Sequence, residues 1–183
     1  MTWDDFHRRG AVLRDVLAHA EAHRDGALPM ELPGVAETFG DELTLLGTLQ
    51  LRWHTHLSGA IERELMDHPT DLESAVMAGW RASAAELGGV LAILDAHAAS
   101  PSSEEMAQAL DRSRRKDWTL MAAMAGKASP ADKGAARVGR AIERKAREAY
   151  RPTAGRPTGG GRRRAETPTR QSFLERVKAH LAA

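Results

Sequence analysis

Nine apolar residues, Val35, Phe39, Leu43, Leu46, Leu49, Trp53, Leu57, Ile61 and Leu65, follow one another at intervals of three or four until Pro69 ends the series. Only an α-helix gathers such a series on one face, so the longest apolar register in the chain commits it to helix, nicked at most at Gly40. The rest of the sequence offers no competing strand signal. Ala, Leu, Glu and Arg dominate and aromatic residues make up 4% of the chain, a composition that favours helix over sheet. With 183 residues and 42% hydrophobic content, one core of ordinary size and a tail are expected.

Local punctuation divides this register and its neighbours into an up-and-down, all-α bundle of about five helices over residues 1–151. Thr2 and Asp5 form a capping box for a first helix carrying Trp3, Phe6, Leu13, Val16, Leu17 and Ala20, which runs until Gly26. The Val35–Leu65 series is the second. Thr70 with Glu73 caps a third, whose Leu72, Val76, Trp80, Leu87, Leu91 and Leu94 lead to His97, with a kink expected at Gly88-Gly89. Ser102 with Glu105 caps a fourth, bearing Met106, Leu110, Leu120, Met121 and Met124 and stopped by Gly126. Ser129-Pro130 opens the fifth. Residues 152–167, PTAGRPTGGGRRRAET, read as a flexible Arg/Gly/Pro-rich linker spanning roughly 20–24 Å. In residues 168–183, Phe173, Leu174, Val177 and Leu181 share one face of a short amphipathic helix expected to dock on a protein partner.

Charge is divided along the chain. Residues 1–110 carry 7 Lys+Arg against 18 Asp+Glu, whereas residues 111–183 carry 19 against 7, so a net charge of +1 conceals an acidic half and a basic half. The basic residues are ordered. Lys133, Arg137, Arg140, Arg144, Arg147 and Arg151 step by 4, 3, 4, 3 and 4. On a helix they share an arc of about 80° over roughly 27 Å. Ala135, Val138, Ile142, Ala146 and Ala149 occupy the opposite arc, and Arg156, Arg162, Arg163 and Arg164 continue the charge into the linker. Such a ridge fits a polyanion, with nucleic acid favoured, or an acidic protein surface. A ridge neutralised by the acidic half of its own chain or of a second copy, with Glu62, Glu64 and Asp67 as candidate carboxylates, is the alternative. Within the linker, Gly155-Arg156-Pro157 resembles the core of an AT-hook, whose Arg lies in the minor groove of AT-rich DNA.

Histidine placement decides what metal chemistry is open. His54 and His56, two residues apart, point about 200° from each other on a helix and cannot share an ion. The expectation is one beside Trp53 at a helix interface and the other in solvent. Asp15, His19 and His23 follow at i, i+4 and i+8, so neighbours in that series could share an ion, although they lie on the flank and outer face of the first helix. VLRDVLAHAEAH, residues 12–23, resembles a ligand-bearing helix of the DinB-like four-helix bundles. That resemblance implies a metal held by His19 and His23 with a third ligand from His54, His56 or His97, and hence a metal-dependent enzyme. No other motif signals catalysis. Cys is absent, and there is no Gly-x-Ser-x-Gly elbow, Walker loop or dinucleotide turn. The first residues lack a signal-peptide pattern and no run approaches the roughly 18 apolar residues of a membrane span. The reading is a cytoplasmic, non-enzymatic binding or adaptor protein without cofactor or metal.

Overall fold

The register beginning at Val35 breaks at Gly40, where φ reaches 78° and a side chain would be strained, giving α2 (Val35–Phe39) and α3 (Glu42–Asp67). Asp41 caps α3 by accepting from the Thr44 N–H at 2.7 Å. The computed structural model describes residues 3–150, with side chains from His7 onward; Arg151, the expected linker 152–167 and the expected docking helix 168–183 lie outside the described residues. Five further helices complete them: α1 (Trp3–His23), α4 (Leu72–Glu86), α5 (Gly88–Ala99), α6 (Glu104–Met124) and α7 (Ala135–Ala149). The chain is all-α, with seven helices among the described residues where five were expected. The expected second helix divides at Gly40 and the expected third at Leu87, which ends α4 and leads straight into α5 at Gly88.

Three helix starts differ from the sequence expectation. Asp71, not Thr70, caps α4, accepting from Ser74 N–H at 3.1 Å, while Glu73 leaves the cap to pair with Lys127 and Lys145. Ser103 replaces Ser102 at the start of α6 and accepts from Met106 N–H at 3.1 Å. Before α7, the Asp132 carboxylate accepts from Ser129 N–H at 2.7 Å, closing a turn that delays the helix to Ala135. Lys133 therefore stands in this turn and not on the helix. At the end of α6 the glycine stop is as read: Gly126 takes φ 65° and Lys127 N–H donates to Ala122 O at 3.0 Å.

The core lies around α3, whose Leu45, Leu46, Leu49, Trp53, Leu57 and Ile61 are buried against α4, α5 and α6. Two helix pairs close it. Ile61 meets Gly79 and Trp118 meets Gly139, so each pair runs antiparallel away from its connecting turn. A Cβ on Gly79 would sit 2.7 Å from the Ile61 backbone, and one on Gly139 would sit 1.7 Å from the Trp118 carbonyl oxygen. The missing side chains are what let these backbones touch. Trp80 packs edge-on against both Trp53 and Tyr150, at 6.3 and 5.9 Å between ring centres, and the Tyr150 hydroxyl donates to Ala84 O. These contacts fix the end of α7 on α4. No described helix is long and apolar enough to cross a membrane.

Candidate polyanion interface

α7 presents its small and apolar residues, Ala135, Gly139, Ile142 and Ala146, to the core, as its periodicity requires. Its cations then take three different environments. Arg137, Arg140 and Arg144 are exposed, and Lys133 is exposed in the preceding turn. Arg144 reaches Glu148 only at 3.8 Å between two solvated side chains, a pair that contributes little. Lys145 points to the other flank and meets Glu73 at 2.6 Å.

Arg147 is turned inward. Its guanidinium donates to both Asp95 oxygens, at 2.8 and 3.1 Å, and to Glu143 at 2.7 Å, while lying 5.0 Å from the Trp80 ring centre. Burial disfavours its charge, but the hydrogen bonds from Arg147 to Asp95 and the nearby Glu143 carboxylate more than offset this and hold its pKa above the ordinary arginine value. Arg114 from α6 meets the same Asp95 at 2.5 Å. The carboxylates that neutralise α7 from other helices are thus Glu73 and Asp95, and among the described residues Glu62, Glu64 and Asp67 make no ion pair with it.

Between α6 and α7 the exposed cations border a continuous groove. Two adjoining hollows share Arg114, Trp118, Arg137 and Arg140; Arg115 extends one and Arg144 the other. Trp118, half-buried at the centre, donates its indole N–H to Glu143 and lies under the Arg140 guanidinium, 5.4 Å from the ring centre. That cation–π contact orients Arg140, which stays exposed to solvent. Arg115 is held by Asp111 at 2.6 Å on the groove rim. The structure therefore brings Arg137, Arg140 and Arg144 together with Arg114, Arg115 and Trp118, which the sequence reading had not singled out. The run RSRRKDW on α6 was the available signal. Arg151, Arg156, Arg162, Arg163, Arg164 and the residues Phe173, Leu174, Val177 and Leu181 lie outside the described residues.

The histidines take other roles. His19 and His23 stack at 4.0 Å, and His23 Nδ1 bonds to the His19 carbonyl. His97 Nδ1 bonds likewise to Ile93 O, and His56 is held between Ser83 and Glu86 at 3.2 and 3.1 Å. Among the described residues no group of three or more His, Cys, Asp or Glu side chains is placed to hold a metal ion. His54, expected at an interface or in solvent, reaches across to α6, where its Nδ1 lies 2.6 Å from Asp117 Oδ1. The other carboxylate oxygen accepts from Gln50 Nε2 at 2.7 Å. Asp117 is 6% exposed, and burial pushes its carboxyl up to about 6 against the opposing hydrogen bonds from His54 and Gln50. Comparison with protein-family models, with curated proteins and with solved structures finds no match to this chain.

Proposed function

We propose that the groove between α6 and α7 binds a polyanion, nucleic acid before an acidic protein surface, and that the protein acts as a non-enzymatic binding or adaptor module. The reading rests on one observation: Arg137, Arg140 and Arg144 stand on the outer face with Arg114 and Arg115 across the groove, around a tryptophan that orients one of them. Guanidinium groups spaced along a groove suit phosphate oxygens, which accept from them in pairs. Arg151, Arg156 and Arg162–Arg164 would lengthen the same basic track, and Phe173, Leu174, Val177 and Leu181 would supply a separate apolar contact for a protein partner.

Internal neutralisation is favoured at two positions by the Lys145–Glu73 and Arg147–Asp95 pairs. It leaves Arg137 without a carboxylate partner among the described residues and Arg144 with only a long, solvated one. The test is titration of a labelled oligonucleotide at low salt. The triple variant Arg137→Ala, Arg140→Ala, Arg144→Ala should bind at least about tenfold more weakly with its helicity unchanged. Equal affinity for both proteins, or no binding by the wild type, removes the proposal.

A further inference from the structure

His54 and Asp117 face a shallow cleft on the side of α6 away from the arginine groove, lined by Gly47, Gln50, Leu51, Ser113 and Lys116. Its geometry fixes the chemistry of the imidazole. An ionised carboxylate only accepts, so the 2.6 Å contact places the proton of neutral His54 on Nδ1 and leaves the Nε2 lone pair without a protein partner. Gln50 holds the second Asp117 oxygen, so the acid cannot turn away. The His54 side chain is 40% exposed, open to a reactant, while its orienting acid is not. Lys116 is the charged side chain at the rim besides this pair, and Asp117 is the only carboxylate among the lining residues. Lys116 offsets the charge of Asp117 and is itself exposed, which leaves a cation for a small anion to pair with.

Gly47 supplies an independent observation. It lies in α3, two turns before His54 on the same face, and a Cβ there would meet nothing within 4 Å. No packing requirement accounts for a helix-weakening glycine at this position. Beside it, Leu51 leaves 65% of its surface exposed. The rim is open and apolar on the α3 side and cationic on the α6 side.

We propose that His54 Nε2 is a phosphoryl-accepting nucleophile, fed by a small anionic donor of the acyl phosphate or phosphoramidate class. Nε2 attacks phosphorus and forms an N–P bond as the donor's P–O or P–N bond breaks. The leaving carboxylate or ammonia takes the bonding pair. The proton already on Nδ1 stays there, and the positive charge that develops on the ring lies against Asp117. Lys116 and the Ser113 hydroxyl are the donors available to the three phosphoryl oxygens. Asp117 is a positioning residue in this scheme, since it touches only the imidazole.

Phosphoramidate is the probe, with His68, exposed in the turn after α3, as the control inside the same chain. Mass spectrometry of the intact protein and of its peptides, kept at alkaline pH, follows each site. His54 should be phosphorylated at least about tenfold faster than His68, Asp117→Asn should remove that advantage, and Lys116→Gln should reduce it several-fold. Phosphorus NMR should find the label on Nε2. If the Asp117 variant does not fold, the Lys116 variant, at an exposed position, decides. A His54 rate no faster than that of His68, a label on Nδ1, or a wild-type rate in Lys116→Gln overturns the proposal.

Discussion

Asp117 and Arg147 are both ionisable groups drawn into the fold, and they differ in how their charge is met. Asp117 is held by His54 and Gln50, but burial outweighs their hydrogen bonds, so its pKa rises from 3.8 to about 6. Below the unfolded value both states hold the proton. Between the two values only the folded state does, and above about 6 neither does, so the stabilisation from the protonated acid is complete below pH 3.8 and lost as pH rises through 6. Wild type compared with Asp117→Asn should therefore lose up to about 3 kcal/mol of relative stability between about pH 3.5 and pH 7.5. Denaturant unfolding at the two pH values measures this, and a difference independent of pH would show that Asp117 titrates normally. Arg147 has two carboxylates and an indole instead. About a third of its side chain remains exposed, so Arg147→Ala should cost about 2 kcal/mol, less than a fully buried pair, whereas Arg144→Ala should stay within about 0.5 kcal/mol. Thermal melts of the two variants check the contrast.

The same contrast between exposed and enclosed positions holds for glycines within helices. Gly139→Ala should cost at least about 3 kcal/mol, because the methyl group would have to push α7 off the Trp118 carbonyl. Gly47→Ala, on open surface, should stabilise by about 0.5–1 kcal/mol. Denaturation midpoints of opposite shift are expected, and shifts of the same sign would contradict the close approach of α6 and α7. Sequence could not separate these two glycines, since the atoms that Gly139 must avoid belong to another helix. It did separate elements wherever a local feature governs: the positive φ of Gly40 and Gly126 and the apolar face of α7, while the break expected at Gly88-Gly89 falls one residue earlier, at Leu87. Caps were read one residue early at Thr70 and Ser102 because each is followed by a second good acceptor, and tertiary pairing of Glu73 took away one half of the expected box. The start of α7 was misplaced because Asp132 could bond back to Ser129, a turn that competes with helix over the same residues.

Among the described residues, the acidic and basic parts of the chain meet in part. Asp95 and Glu73 draw Arg114, Arg147, Lys127 and Lys145 onto the bundle, while Arg137, Arg140 and Arg144 remain on its outer face. The ridge read from spacing alone therefore splits into an anchoring residue and an outward set, a division that depends on the position of α5 and was not legible from α7 itself. The candidate interface was half legible for the same reason: its α7 side follows from periodicity, its α6 side from packing. Its function as a polyanion site is the central claim, and the salt dependence of oligonucleotide binding tests it most directly. Log affinity should fall linearly with log salt, with a slope of about −0.9 per phosphate contacted on duplex DNA. The Arg137→Ala, Arg140→Ala, Arg144→Ala variant should flatten that slope by about two to three units. A slope unchanged by the three substitutions, or an affinity indifferent to salt, would contradict the account.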